Sequence, residues 1–338
     1  MKRRSRFALS ALIVLVMMMG LSSCGGEYTE PLPPRDTLYY PIGLTLHPDG
    51  RFLYVVNSNF DLRYRGEQGG TVSVIDTETG QILGNSSPFI PSYGANIELN
   101  EDATKAYITS RFESEITLLD VAEQGQALYC TVDGVPKPDS RTCRVRRVPD
   151  NQDGSTIPRD PFGIALGRIE RTIGDEVVSF DLVHLSHLQS ERQQTRVTAL
   201  SFPNGEQAGA TMQSASLVTG NQVVRRPGTQ DIYVAGRTSN LVAAFRPFVN
   251  DIGEVEAIIN RGNIILSRRQ ETVDARGIAF DDDGQWLYVA TRRPNALHFI
   301  GMTAGANGEP AVVRTIPLEQ NPSDALFHQG ADGVKRIY

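Results

Sequence analysis

The chain reads as an all-β protein built by repeating one four-stranded antiparallel unit, and three observations predict this. Residues 41–83 alternate short β-rich runs with turn chemistry. A tyrosine followed by Val or Ile recurs at near-regular intervals downstream. Asp49-Gly50, Asp102-Ala103 and Asp283-Gly284 each sit a few residues before such a tyrosine. Short strands joined by hairpins and repeated about every fifty residues suit the blades of a β-propeller.

The first unit is the clearest. Ile42, Leu44 and Leu46 alternate with smaller or polar residues, the period of a strand with one buried face. Pro48-Asp49-Gly50 supplies a turn, because Pro presets φ and Gly accepts φ > 0. Phe52 to Val56 and Thr71 to Ile75 are the second and third runs. Thr77 to Gly80 is another turn, and Gln81 to Leu83 is expected to begin a fourth strand.

The repeats align on Tyr54, Tyr107, Tyr233, Tyr288 and Tyr338, with Val183 filling the position in one weak copy. The intervals are 53, 76, 50, 55 and 50 residues. LYVVN, AYITS, IYVAG and WLYVATRR (the last preceded by IAFDDDG) resemble YVTN-type β-propeller repeats, a likeness covering residues 41 to 338. The resemblance implies a propeller and is shared by surface-layer proteins, binding proteins and lactonase-like enzymes. A repeat carries no catalytic motif with it.

The later blades are placed by the same pattern. The second uses residues 96–99, 106–110 and 115–119, followed by an insertion from Val121 to Ile157 that carries the basic residues Arg144, Arg146 and Arg147. The third starts at Pro161. The fourth uses 214–218, 232–235 and 241–245, and the fifth runs from Ala275 to Ile300. A partial sixth begins near Asn321. A closed ring needs its last blade finished, so the full protein is expected to hold seven, with five complete and one partial here.

Residues 1–23 read as a signal peptide. Lys2, Arg3, Arg4 and Arg6 precede an apolar run from Phe7 to Leu21, which is shorter than the roughly twenty residues a spanning helix needs. Leu21-Ser22-Ser23-Cys24 resembles a bacterial lipobox, which implies acylation of Cys24 after Sec export. Gly25 at the next position favours the outer membrane or the cell surface. Residues 24–36 read as a tether and 37–338 as the propeller domain, with Asp36 to Tyr40 a candidate strand to close the ring. Cys130 and Cys143 flank a loop rich in Pro and Asp and are expected to form a disulfide, which suits an exported protein.

The formal net charge is −6, and removing residues 1–23 takes away four basic and no acidic side chains, leaving about −10. That balance argues against a nucleic-acid partner. No glycine-rich phosphate loop, GxSxG elbow or HExxH motif is present, so no cofactor is implied. His184 and His187, three apart on a strand, point to opposite faces and make a poor metal pair. Asp281 to Gly284 lacks the alternating ligands of a calcium loop.

Counting four residues beyond each aligned tyrosine gives Ser58, Arg111, His187, Arg237 and Arg292, on loops expected at one mouth of the channel. Guanidinium groups hold carboxylate or phosphate bidentately, so these positions predict a site for an anionic ligand. Against this stands pairing of each arginine with an acid of the next blade, Asp160, Asp274 or Asp324. The function expected is a non-catalytic binding scaffold at the cell envelope, for an envelope protein, a glycan or a small anionic ligand. The alternative is a lactonase-like hydrolase, which needs carboxylates and asparagines converging on a channel metal, or a His/Glu/Arg cluster placed on a lactone carbonyl.

Overall fold

A computed structural model of the chain describes residues 31–132, 135–137, 140–146, 156–188, 195–202, 208–214, 216–269, 272–330 and 332–338. Residues 1–23, expected to form a signal peptide, together with Cys24 and Arg147, lie outside these residues. No described helix is long and apolar enough to cross a membrane.

Five antiparallel sheets follow one another, each a meander from an inner strand outward. The first joins Pro41–Leu46, Phe52–Asn57, Gly70–Asp76 and Phe89–Ile90. The second joins Gly94–Leu99, Lys105–Ser110, Glu115–Val121 and Leu128–Val132. It is widened by Val135–Lys137 and by Arg144–Val145, which pairs back onto Glu115–Val121. The third joins Pro161–Ile173, Glu176–His187, Arg196–Ser201 and Ala208–Gln213. The fourth joins Gly220–Arg225, Ile232–Gly236, Leu241–Val249 and Val255–Ile265, and the fifth Ala275–Phe280, Trp286–Arg292, Asn295–Gly301 and Ala311–Pro317. A hairpin of Phe327–Gln329 with Lys335–Ile337 follows. Inner strands of successive blades touch in chain order, which makes this a β-propeller of five complete blades and a partial sixth.

The core lies between blades. Tyr54, Val56 and Val74 of the first pack with Ile97, Ile108 and Leu119 of the second. Tyr54 and Tyr107 put their rings in these inter-blade layers and their hydroxyls on the neighbouring blade. Tyr54 Oη donates to the Gly125 carbonyl at 2.6 Å and Tyr107 Oη to Asp181 Oδ2 at 2.7 Å. A buried tyrosine needs such a partner, so the repeat is fixed by packing and hydrogen bonding together. Close approach of inner strands also selects Gly43, where a Cβ would lie 2.3 Å from the Ala95 carbonyl oxygen.

Cys130 and Cys143 form the expected disulfide, with Cα atoms 5.8 Å apart. The insertion is partly blade, since Leu128–Val132 is the fourth strand of the second sheet. Two of its arginines meet one buried carboxylate. Arg144 Nε lies 3.5 Å from Glu115 Oε1 and Arg146 Nε 2.5 Å from Glu115 Oε2, with the Glu115 side chain fully buried.

Three expected strands differ. Residues 36–40 are not a strand, because Tyr40 has φ 49° and the Tyr39 amide donates to the side chain of Asn57. Residues 81–83 make a single bridge, Ile75 to Ile82; the fourth strand is Phe89–Ile90. Residues 214 and 216–218 are not strand: Ser214 Oγ accepts from the Leu217 amide at 3.0 Å, and the inner strand of the fourth blade starts at Gly220.

Candidate functional site in the central channel and at its mouth

The inner strands converge on a cavity of about 710 Å³, lined by residues 42–44, 96–98, 163–166, 222–225, 278–282 and 324–327 among others. Its lining carries the carboxylates of Glu98, Asp281, Asp282 and Asp324. Glu98 is exposed to solvent within the open channel, and the protein packed around it pushes its pKa up to about 7, with the charge of Asp324 adding to the shift. Among the described residues its carboxylate has no hydrogen-bond or ion-pair partner. The Asp324 carboxyl is also raised by burial, against hydrogen bonds from the Ala325 amide at 2.7 Å and from Gln222. An acid whose ionisation is disfavoured by its surroundings and by a neighbouring carboxylate, as at Glu98, is suited to proton transfer near neutral pH.

Side-chain amides stitch the strands around this cavity. Asn96 Nδ2 donates to the Phe162 carbonyl at 2.8 Å, and Asn221 Nδ2 to the Arg276 carbonyl at 2.7 Å. Each tie crosses to the next blade, so the channel wall is held by hydrogen bonds as well as by packing.

At one mouth a main-chain clasp repeats in every complete blade. The amides of Ser58, Arg111, Leu188, Arg237 and Arg292 donate to the carbonyls of Tyr40, Tyr93, Asp160, Thr219 and Asp274, at 2.9–3.2 Å. This register corrects the third blade. Tyr54, Tyr107, Tyr233 and Tyr288 pair with Thr45, Glu98, Val224 and Ala279, and the residue pairing with the equivalent Ala165 is His184. Val183 is one position early, and the clasp residue is Leu188 in place of His187.

His187 therefore leaves the predicted ring. It is fully buried, with Nδ1 3.1 Å from the Arg159 carbonyl and Nε2 3.0 Å from Thr198 Oγ1, and burial pushes its pKa down to about 4. His184 is also fully buried and is pushed down to about 3. Ser58 is buried too. No group of three or more His, Cys, Asp or Glu able to hold a metal occurs among the described residues.

The three arginines do reach this mouth, and the neighbouring acids engage two of them. Arg111 pairs with Asp160 through Nε and Nη2. Arg237 Nε lies 3.8 Å from Asp274 Oδ1, a carboxylate that also takes Arg276 Nε at 2.8 Å. Arg292 Nε donates instead to the Pro322 carbonyl at 2.6 Å. Burial lowers the Arg237 pKa, and nearby Arg276, Arg292 and Arg111 lower it further against Asp274. Positive charge does gather here, partly neutralised.

Glu98 and Asp324 went unrecognised as site residues in the sequence. The signal for Glu98 lay in the residue facing each repeated tyrosine: Thr45, Glu98, Ala165, Val224 and Ala279 hold one ionisable side chain among five.

The fold recurs among solved structures. The chain is similar to a periplasmic gluconolactonase of Pseudomonas aeruginosa, at 15% identity over 87% of this chain and 76% of that one, with a TM-score of 0.54. A candidate 6-phosphogluconolactonase of Bacteroides uniformis gives 15% identity, 89% and 76% coverage and a TM-score of 0.52. A Lactobacillus plantarum protein gives 18%, 87%, 75% and 0.57. At these identities the likeness shows the propeller fold. No protein-family model matches the sequence, and no curated protein matches it.

Proposed function

We propose that this propeller is a lactonase-like hydrolase working in its central channel, with Glu98 as general base. The observation that carries the reading is the Glu98 carboxylate, unpartnered in the channel with a pKa near 7. A base of that pKa is half ionised at neutral pH and accepts a proton efficiently in a transition state. Water attacks the lactone carbonyl as Glu98 takes its proton, and the carbonyl electron pair moves onto oxygen. Collapse breaks the bond to the ring oxygen, which leaves as a hydroxyl carrying the proton from Glu98. The product is a hydroxy acid, and the base is regenerated. The arginines at the mouth would attract an acidic substrate or product. Two structural neighbours named as lactonases share the architecture and support the reading. On the sequence reading of residues 1–24, the enzyme would act in the envelope, held by lipid on Cys24.

The test is a panel of sugar and simple lactones followed by titrating the acid released. Glu98→Gln should lower kcat/KM by about 10²–10⁴-fold, the range general base catalysis supplies. Its thermal midpoint should be unchanged or higher, because an acid whose ionisation is disfavoured is replaced. The wild-type rate should rise with pH through about 7. A variant within twofold of wild type would overturn the proposal, and so would an inert panel.

A further inference from the structure

Outside the channel, a second pocket of about 290 Å³ is lined by Tyr93, Arg111, Phe112, Ser114, Arg159 and Asp160. None of these residues lines the channel cavity. Tyr93 and Phe112 stack with centroids 6.3 Å apart and planes 20° apart. Phe60 meets Tyr93 edge-on at 5.5 Å. Phe60 is 56% exposed and Phe112 40%. Exposed aromatic clusters rimmed by charge mark binding surfaces.

The backbone around the pocket is fixed by the fold. Three of its lining residues, Tyr93, Ser114 and Asp160, have positive φ, and at Tyr93 and Asp160 this is the entry to an inner strand that Tyr40 and Asp274 repeat in other blades. Asn59 Nδ2 donates to Ser92 Oγ at 2.7 Å and to the Tyr64 carbonyl at 3.2 Å, and the Tyr93 amide donates to the Ser58 carbonyl at 2.6 Å. The aromatic platform is set before any ligand arrives, which limits the ordering cost of binding.

The charges define the chemistry. Arg111 spends Nε and Nη2 on Asp160, leaving Nη1 for a ligand. Arg159 is exposed and has no ion-pair partner among the described residues. Two guanidiniums against one carboxylate leave the pocket net positive. It therefore offers a flat apolar face, one uncommitted cation, and hydroxyl and guanidinium groups at the edge.

We infer that this pocket binds an acidic sugar of the uronate class. The carboxylate pairs with Arg159, one face of the ring lies against Phe112 and Tyr93, and the ring hydroxyls meet Ser114 and Arg111 Nη1. Such a site would tether the protein to acidic glycan while the channel remains free, and it stands independently of the hydrolase reading.

Calorimetric titration with D-glucuronate, D-glucose and inorganic phosphate tests this. Glucuronate should bind, with glucose at least about tenfold weaker, the loss expected for one charged contact. Arg159→Gln and Phe112→Ala, both at exposed positions, should each weaken glucuronate by about tenfold or more. Thermal midpoints of both variants check that they are folded. Glu98→Gln should leave the titration unchanged; loss of binding there would place the ligand in the channel and overturn the inference. Absence of glucuronate binding at about 10 mM, which is weaker than roughly 3 kcal/mol of affinity, would also overturn it. So would phosphate binding as tightly without dependence on Phe112, the behaviour of a plain anion site.

Discussion

Replacing Glu115 with Gln tests what holds the disulfide-bearing segment to the second blade. Glu115 sits with its carboxylate fully buried between two guanidiniums from the segment, and the Arg144 side chain is 3% exposed. Putting an amide there removes the carboxylate charge beside the buried Arg144 Nε. Breaking a buried pair by removing one partner costs about 3–5 kcal/mol, because the remaining charge is stranded. Arg146 is 47% exposed, so water screens its share of the loss. The worked expectation is a destabilisation of about 3–4 kcal/mol for Glu115→Gln and under about 1 kcal/mol for Arg146→Gln. At about 2–4 °C per kcal/mol, the first corresponds to a fall in Tm of roughly 6–16 °C. Thermal unfolding by circular dichroism measures both variants directly. A Glu115→Gln protein within about 1 kcal/mol of wild type would mean that the arginines are not held by this carboxylate, and the reasoning would fail.

Two further outcomes concern pH and redox state. His184 and His187 have folded-state pKa values pushed down to about 3 and about 4, against about 6.5 in the unfolded chain. The folded state binds fewer protons, so their contribution is complete above about pH 6.5 and is lost as the pH falls through about 4 and then about 3. Tm should fall across that window, and His184→Leu should flatten part of the slope; a variant profile parallel to wild type would refute the assignment. Reducing the Cys130–Cys143 bond, or replacing both residues with Ser, should lower stability by about 3 kcal/mol, the figure for a loop of this size. Equal urea midpoints for the oxidised and reduced protein would exclude a stapling role.

The propeller was legible because its signal is local and repeated. Tyrosine, turn and apolar alternation recur in each blade, and the structure uses them as buried hydroxyl donors, hairpins and inter-blade cores. The third blade misled by one residue because His184 stands where the tyrosine belongs, and in a strand a slip of one exchanges the two faces. That slip alone moved His187 from the buried sheet to the predicted mouth. Arg111, Arg237 and Arg292 could be placed by counting because their blades keep the repeat. Glu98 and Asp324 could not be paired in the same way. They lie in different blades, and their meeting depends on how six inner strands close around one axis, which no local pattern encodes. The face that the pocket presents was hidden for a related reason, since Phe60, Tyr93 and Phe112 come from three separate loops.

The clasp at the channel mouth has an evolutionary meaning. It is made from amide to carbonyl, so it constrains the backbone and is indifferent to what the position carries. Serine, arginine and leucine all occupy it within this one chain. A lineage can therefore rewrite that residue blade by blade, shifting the charge presented to an incoming molecule while inherited architecture stays intact. Specificity on such a face can drift quickly, and chains with nearly superimposable blades can be expected to differ most in what they welcome.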